Sequence, residues 1–232
     1  MCAALWTRHL ERGLPGGTPS RPDGGPVATG DPVDAVWYLT CASPFGPLHL
    51  AATAVGVCAV GLVEAEARFR RRLLRAGGQT VERTMLEADA SRAMAGAPPD
   101  NQAAGSARLP MSAARAVLAS AVTELGEYFA GKRRAFSVPV DLATTTAFDR
   151  RVLAAMAAIQ YGETRTYGEL ARAVGSPGAA RAVGHACGRN PVPVLLPCHR
   201  VVRSGGGLGG YSGGGLDVKA ALLALERKGT AC

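Results

Sequence analysis

The sequence predicts an α/β protein of two domains, in which strands and helices come first and a mainly helical domain follows. Three short apolar runs separated by turn residues, within residues 35–63, indicate an antiparallel sheet. Amphipathic helical spacing follows at residues 111–130, and two short helices joined by a glycine lie at residues 167–187. We place the boundary near residue 143, so that residues 35–143 form an N-terminal α/β domain and residues 144–232 a C-terminal domain.

The N-terminal domain is expected to begin after an extension rich in glycine and proline. Residues 13–34 lack apolar periodicity and residues 1–12 could form a short helix that does not dock, so we predict that residues 1–34 are a flexible extension. The predicted elements that follow are strands at residues 35–41, 48–53 and 57–63 and a helix at residues 65–75. That helix carries five arginines, a number that favours a solvated face over a DNA-binding patch. Residues 87–109 are predicted to be mostly surface loop.

Two longer helices are predicted around the domain boundary. The first, at residues 111–130, has an apolar stripe that includes Leu125 and Tyr128, and Gly131 is placed to end it. Residues 136–142 are predicted to be a strand or an extended linker. The second helix is predicted to begin at Thr145 as its N-cap and to close at Gly162.

A helix-turn-helix is the candidate motif of the C-terminal domain. A helix at residues 167–174 is broken by Gly175, and Ser176-Pro177 is expected to start a second helix that runs to about Cys187. An ordinary helical hairpin is the alternative. The second helix carries small residues around one long basic residue, Arg181, so it could lie against DNA with Arg181 entering the base stack. It could equally pack against a neighbouring helix with Arg181 as a surface charge.

Cys198 and His199 are the strongest candidates for chemistry. A thiol next to an imidazole, after the apolar run at residues 192–196, is typical of an activated nucleophile, whereas a buried core cysteine is the alternative. If the segment is extended, the two side chains point apart and a water would relay the proton. Glu226, on a predicted helix at residues 218–227, is the best candidate to orient the imidazole. Asn190 is suited to bridging backbone groups in a turn.

Composition and charge narrow the class of protein. The net charge of +8 favours a polyanionic partner such as nucleic acid. No apolar run approaches the roughly 20 residues that span a bilayer, so we expect no membrane association. The six cysteines are scattered, which fits a reducing, cytoplasmic location.

Five motifs in order resemble those of the O6-alkylguanine-DNA alkyltransferases, also called methylated-DNA–protein-cysteine methyltransferases. They are Tyr167-Gly168-Glu169-Leu170-Ala171, Ala180-Arg181-Ala182-Val183-Gly184, Asn190-Pro191, Pro197-Cys198-His199-Arg200-Val201 and Gly210-Tyr211-Ser212-Gly213-Gly214. The resemblance is very specific from about residue 146 to 228 and looser from 36 to 142. Residues 1–34 lie outside it.

The resemblance implies a ribonuclease-H-like N-terminal domain, a C-terminal domain of winged-helix type, and a single-turnover DNA repair activity. The protein would act as a monomer on double-stranded DNA, taking the alkyl group from O6-alkylguanine, and from O4-alkylthymine, without a cofactor. The implied catalytic residues are Cys198 as acceptor, His199 and Glu226 as its activators through water, and Asn190 as a brace. Tyr167, Tyr211 and Ser212 would contact the flipped base, with Tyr167 placed to help protonate it as it leaves. Thr166, Ala180 and Arg181 would contact DNA, with Arg181 filling the gap in the duplex.

Two alternative functions are considered beside this prediction, together with the possibility of a structural zinc. A non-catalytic helix-turn-helix lesion sensor or regulator is the main alternative. A cysteine hydrolase with Cys198, His199 and Glu226 as a triad is disfavoured, because such groups usually come from distant positions. Some relatives hold a structural zinc in the N-terminal domain, but Cys41, His49 and Cys58 offer no obvious fourth ligand, so no metal is expected.

Overall fold

A computed structural model of the chain describes residues 35–76, 80–83 and 113–230. The predicted extension at residues 1–34 and the predicted loop at residues 87–109 lie outside the described residues.

The N-terminal half contains a four-stranded sheet. Its strands are β1 (Ala35–Ser43), β2 (Gly46–Ala52), β3 (Val57–Leu62) and β4 (Thr80–Arg83), in the order β3-β2-β1-β4. The first three form the predicted antiparallel meander, with Leu39 opposite Leu50 and Leu50 opposite Val60. β4 pairs in parallel with β1 at the sheet edge.

Two helices accompany this sheet, as the sequence predicts. Helix α1 (Glu66–Arg75) buries Phe69 and Leu73 and leaves most of its arginines exposed, an arrangement that a solvated face and a DNA-binding patch share. Helix α2 (Ala113–Phe129) packs against β1 and β2 and ends at Gly131. Gly131 has a φ of +73°, and its N–H bonds to the carbonyl of Tyr128, as expected for a glycine that caps a helix.

The C-terminal half is mainly helical. Its elements are α3 (Ala147–Ala157), β5 (Arg165–Thr166), α4 (Tyr167–Ala173), α5 (Ala180–Gly188), a 3-10 turn (Cys198–Arg200), β6 (Val201–Val202) and α6 (Leu216–Thr230). The short strands β5 and β6 pair in parallel and bring the start of α4 close to the end of the 3-10 turn. The two-domain prediction is therefore confirmed at the level of a sheet domain followed by a helical one.

The predicted bounds of α3 were wrong at both ends. Thr146 rather than Thr145 is the N-cap, because the Thr146 hydroxyl accepts the N–H of Asp149 at 3.1 Å, whereas the Thr145 hydroxyl donates to Leu142. The helix ends at Ala157, before Gly162. The Gly162 N–H instead donates to a carboxylate oxygen of Glu226 at 3.0 Å.

The predicted start of α5 at Ser176-Pro177 was also wrong. Gly175, with a φ of +72°, ends α4, and the Ser176 N–H bonds back to the Ala171 carbonyl at 2.9 Å. This is the glycine-ended helix terminus in which the residue after the glycine closes the preceding helix. Ser176 is therefore used by α4, and the regular helical bonding of α5 begins from the carbonyl of Ala179.

One continuous apolar core joins the two halves. It includes Leu118 and Leu125 of α2 together with Leu195 and Leu196, which precede Cys198 in the chain. A backbone hydrogen bond of 2.8 Å also links Val60 of β3 to the carbonyl of Pro191. The segment that carries the candidate nucleophile is thus held between the sheet domain and the helical domain. In the part of the chain that the structure describes, no helix is long and apolar enough to cross a bilayer.

Candidate active site

A cavity of about 630 Å³ opens between α4, α5 and the loop that leads to α6. Its lining comprises Tyr167, Gly168, Ala180, Arg181, Gly184, Cys187, Gly188, Cys198, Arg203, Ser204, Gly210, Tyr211 and Ser212. Most residues singled out from the sequence therefore meet at one place, although they are spread over about 45 positions of the chain.

Cys198 lies in the short 3-10 turn and is only 4% exposed. Cys198 and His199 therefore lie in a turn and not in an extended strand. The prediction that their side chains point to opposite faces applied only to an extended segment. Burial raises the pKa of the Cys198 thiol to about 11, although the Asn190 amide and the charge of Lys219 act in the opposite direction. At neutral pH the thiol is protonated, so its reaction as a nucleophile requires a base.

Asn190 holds the backbone around the thiol. Its side-chain nitrogen donates to the Leu196 carbonyl at 2.8 Å and to Cys198 Sγ at 3.2 Å, and its oxygen accepts from the Val192 N–H at 3.1 Å. Since all of these atoms are buried, each bond fixes the loop without competition from solvent.

His199 is fully buried and bonded to Glu226, with 2.8 Å between Nε2 and Oε1. Burial lowers the pKa of His199, against the opposing effect of Glu226, so the imidazole is neutral near pH 7. Because Glu226 is ionised and can only accept, we assign the proton to Nε2. Nδ1 is then the basic nitrogen, and it is buried with no hydrogen-bond partner among the described residues.

Glu226 receives donors from several elements. Arg200 donates to both of its oxygens at 2.8–3.1 Å, Gly162 N–H donates to Oε2, and the Tyr128 hydroxyl donates to Oε1. Burial alone would raise the pKa of Glu226, but the bonds from His199 and Arg200 lower it to about 2. The carboxylate is therefore charged throughout the physiological range.

Two tyrosines form walls of the cavity. A Cβ on Gly209 would lie 2.8 Å from the Tyr167 hydroxyl, so only glycine lets the loop pass this close, and its φ of +70° suits glycine as well. A Cβ on Gly213 would lie 2.8 Å from the ring of Tyr211, which stands edge-on to His199. The loop glycines thus allow the chain to fold tightly over both aromatic rings.

The candidate DNA contacts lie around the cavity mouth. Ala180 and Arg181 belong to the first turn of α5, and the Arg181 side chain is exposed. Ser212 is also exposed at the cavity lining. Thr166 does not line the cavity. It caps α4 in a reciprocal pair with Glu169, and its hydroxyl accepts from the Glu169 N–H at 3.2 Å.

Lys219, on α6, is buried next to the cavity loop. Its ammonium donates to the carbonyls of Val201 at 2.6 Å, Leu208 and Gly210 at 3.3 Å. Burial lowers the pKa of Lys219, and the two nearby thiols act in the opposite direction. One side chain thereby ties β6 to the loop that passes over Tyr167.

We expect Lys219→Met to loosen this loop and to destabilise the protein. The variant leaves buried carbonyls without a donor, at a cost of about 1–3 kcal/mol each when no replacement forms. Thermal unfolding should show a lower Tm than in Lys228→Met, which removes an exposed lysine from the same helix. Equal Tm values for the two variants would contradict the role of Lys219 as a clamp.

Sequence reasoning missed several residues of the site. Arg200 lies in the Pro-Cys-His-Arg motif, but no sequence pattern marks it as a partner of Glu226. Tyr128 was predicted only as a core residue, and Cys187 only as a helix end, although it lines the cavity beside Cys198. Among the described residues, no group of three or more histidine, cysteine or acidic side chains could hold a metal ion. His49 instead bonds to Thr40 and to the Glu64 carbonyl.

Family models match both halves of the chain. Residues 36–142 match the ribonuclease-like domain of 6-O-methylguanine DNA methyltransferase, and residues 147–228 match its DNA binding domain. The chain belongs to the 6-O-methylguanine DNA methyltransferase family. The resemblance noted from the motifs is thereby confirmed.

Relatives of known name agree with this family. A methylated-DNA–protein-cysteine methyltransferase from Mycolicibacterium paratuberculosis is 56% identical over 110 residues, which are 47% of this chain and 66% of the relative. The constitutive methyltransferase of Bacillus subtilis is 48% identical over 110 residues, again 47% of this chain and 66% of the relative. The chain thus aligns with slightly less than two thirds of the length of these relatives.

Solved structures align over more of the chain. The crystal structure of Mycobacterium tuberculosis OGT in complex with DNA is 36% identical, with a TM-score of 0.61, and covers 83% of this chain and 94% of its own. The crystal structure of M. tuberculosis O6-methylguanine methyltransferase is 38% identical, with a TM-score of 0.57 and coverages of 83% and 93%.

Proposed function

We propose that this member of the family repairs DNA by moving the alkyl group of O6-alkylguanine, and of O4-alkylthymine, onto Cys198. The observation that carries the proposal is a buried thiol that lines a cavity of about 630 Å³, beside an imidazole held by an ionised carboxylate. The names of the relatives, and the DNA in the complex of one neighbour, support the same activity.

The proposed reaction is a displacement at the alkyl carbon. His199 Nδ1 takes the thiol proton through a water, as the family resemblance implies, because a thiol with a pKa of about 11 is not ionised by itself. The sulfur then forms a bond to the alkyl carbon while the bond from that carbon to O6 breaks. The base leaves as an anion and is protonated from the Tyr167 hydroxyl, which regains a proton from the relay. The thioether product is stable, so each chain reacts once, and the reaction balances without a cofactor.

The remaining roles follow from the residues around the cavity. We infer that Tyr167, Tyr211 and Ser212 contact the extruded base, which enters the cavity because the reacting atom is inaccessible in the stack. Asn190 keeps Cys198 in place through its bonds to Leu196 and Sγ. Ala180 and Arg181 would meet the duplex at the start of α5. Thr166 would act at the DNA backbone from the start of α4.

We also propose the finer fold assignments and the setting. The N-terminal domain, over residues 35–143, would be ribonuclease-H-like, as the name of the matched family model suggests. The C-terminal domain, over residues 144–232, would be of winged-helix type, with α4 and α5 as its helix-turn-helix. The protein would act as a monomer on double-stranded DNA in the cytoplasm, at the nucleoid in a bacterium.

The stoichiometry of transfer tests this function. Duplex DNA with radiolabelled methyl on O6 of guanine is incubated with a limiting amount of protein, and the label on protein is counted at completion. We expect one methyl group per active chain. Continued release of methanol or of further repaired duplex would indicate a hydrolase, and binding with no label transferred would indicate a lesion sensor.

We expect Arg181→Ala to slow repair of duplex DNA by about tenfold or more, while reaction with the free alkylated base stays near normal. Arg181 is the long side chain at the first turn of a helix that otherwise offers small residues to the cavity. Unstacking a base costs a few kcal/mol, and a side chain that fills the gap offsets part of that cost.

The control for this variant is Arg172→Ala, which removes an exposed arginine from α4 away from the cavity lining. It loses the same charge but should retain the duplex rate within about twofold, allowing for a weak general effect of charge. If Arg181→Ala slowed the reactions with duplex DNA and with the free base equally, Arg181 would support the pocket rather than base extrusion.

A further inference from the structure

Tyr128 connects the N-terminal domain to the hydrogen-bonded relay of the C-terminal domain. It lies near the end of α2, and its side chain is fully buried. Its hydroxyl oxygen lies 2.7 Å from Glu226 Oε1 and 3.4 Å from His199 Nε2. This residue is therefore in contact with both partners of the pair that we assign to activation of the thiol.

Tyr128 contacts Oε1 of Glu226, the same carboxylate oxygen that is bonded to His199. Oε1 of Glu226 receives the Tyr128 hydroxyl, His199 Nε2 and the Arg200 guanidinium together. Burial raises the pKa of the Tyr128 phenol, and the charge of Glu226 raises it further, so the hydroxyl is always a donor. Tyr128 therefore competes with the imidazole for the negative charge on Oε1.

The ring of Tyr128 is held from several sides. It packs against Phe129 and Phe136 at centroid distances of 5.6 and 5.3 Å, and edge-on to Tyr161 at 6.1 Å. These contacts and the full burial of the side chain hold the ring in place and direct the hydroxyl at Glu226. The position of α2 against the sheet then determines where the donor lies.

We propose that Tyr128 is a positioning residue for alkyl transfer, which fixes Glu226 and moderates the basicity of His199 from the N-terminal domain. The inference rests on the proposed function, since it concerns the rate of that transfer. It gives the N-terminal domain a part in the chemistry, through a single hydroxyl, in addition to its contribution to the common core.

Removal of the Tyr128 hydroxyl is expected to raise the pKa of His199. Without the phenol, the charge on Oε1 is shared by fewer donors, and Glu226 stabilises an imidazolium more strongly, so the pKa of His199 rises. The groups around the imidazole are Glu226 and Lys219 on α6, Arg200 and Cys198 on the 3-10 turn, Tyr211 on the loop and Tyr128 on α2. Only Tyr128 changes in the variant, so a shift reports its effect alone.

The test is the rate of transfer from free O6-benzylguanine to Tyr128→Phe, measured between about pH 5 and pH 8, where histidines titrate. Protonated His199 cannot accept the thiol proton, so the rate falls on the acid side of its pKa. In the plot of transfer rate against pH, we expect the acid limb, where the rate falls, to lie at higher pH in the variant than in the wild type. We also expect the plateau to fall by about tenfold, a part of the 10²–10⁴ that a positioned base contributes.

The matched control is Tyr38→Phe in β1. Tyr38 is also buried, and its hydroxyl also donates to a carboxylate, Glu66, at 2.9 Å, but it does not line the cavity. This variant should keep the wild-type plateau and pH profile. If Tyr128→Phe has the wild-type profile, or has a lower plateau with no shift along the pH axis, the inference is overturned. If the wild type itself transfers no alkyl group, the proposed function fails instead.

A second substitution acts in the opposite direction and keeps the core intact. Tyr128→3,5-difluorotyrosine, introduced at this position alone, retains the ring and makes the hydroxyl a stronger donor to Glu226. The acid limb should then move to lower pH than in the wild type. An unchanged limb, or a shift to higher pH, would overturn the inference even if Tyr128→Phe did not fold.

Discussion

Cys198→Ser is expected to abolish alkyl transfer completely while leaving the fold intact. Serine has nearly the same size as cysteine, so the buried turn should accept it, but its hydroxyl is a far weaker nucleophile than a thiolate. The measurement is the amount of alkyl group bound to protein after prolonged incubation with alkylated duplex. We expect none above background.

Cys187→Ser is the matched control, because Cys187 is the other thiol that lines the cavity. Burial, together with the neighbouring Cys198, raises the pKa of Cys187 to about 12, so this thiol is also protonated at neutral pH. This variant should transfer one alkyl group at close to the wild-type rate. If Cys187→Ser lost alkyl transfer and Cys198→Ser kept it, Cys187 rather than Cys198 would be the acceptor.

Glu226→Gln is expected to reduce both the stability and the transfer rate strongly. The Arg200 guanidinium and the Glu226 carboxylate form a buried ion pair at 2.8 Å. Removing one partner of such a pair costs about 3–5 kcal/mol, because the other charge is left uncompensated. The same change replaces the ionised acceptor of the His199 Nε2–H by a neutral amide, which stabilises an imidazolium less. Denaturant unfolding and transfer from the free base by the folded fraction measure the two effects.

Two further variants separate these effects of Glu226. Glu163→Gln removes an exposed carboxylate whose ion pair with Arg165 is 4.0 Å long, and it should change the free energy of unfolding by less than about 0.5 kcal/mol. Glu226→Gln combined with Arg200→Met removes both buried charges and should recover part of the stability without recovering transfer. Recovery of transfer in the double variant would show that Glu226 serves the fold alone.

The pH dependence of stability has a sign that follows from Glu226. Its pKa is lowered from 4.5 to about 2 in the folded state. Its contribution to stability is therefore complete above the unfolded pKa and is lost as the pH falls through the folded value. Glu226→Gln should accordingly flatten the loss of stability on acidification, relative to the wild type.

The sequence predicted most of the secondary structure because local patterns determine it. Alternating apolar residues with turns between them predicted β1–β3, and Gly131 correctly ended α2. The prediction failed at Ser176, where two helix-end rules compete for one residue. Ser-Pro is a good helix start, but the glycine before it makes the serine N–H part of the preceding helix end, and that bond prevails.

The centre of the site was also largely predictable, because its motif is local. Cys198, His199 and Asn190 lie within ten residues, and Glu226 is the carboxylate on the helix that packs beside them. Tyr128 and Lys219 could not be found in the same way. Tyr128 fits the apolar stripe of an amphipathic helix, and its hydroxyl contacts residues 71 and 98 positions away. A lysine on a helix is normally exposed, and nothing in the sequence marks Lys219 as buried.

The location of the alkyl group in the reacted protein is the decisive measurement for transfer to Cys198. Wild-type protein is incubated with duplex DNA that contains O6-methylguanine, digested, and analysed by peptide mass spectrometry. We expect one added methyl group per chain, on the peptide that contains Cys198 and on the sulfur of that residue. A methyl group on Cys187 or another cysteine, or repaired DNA with no modified peptide, would contradict transfer to Cys198.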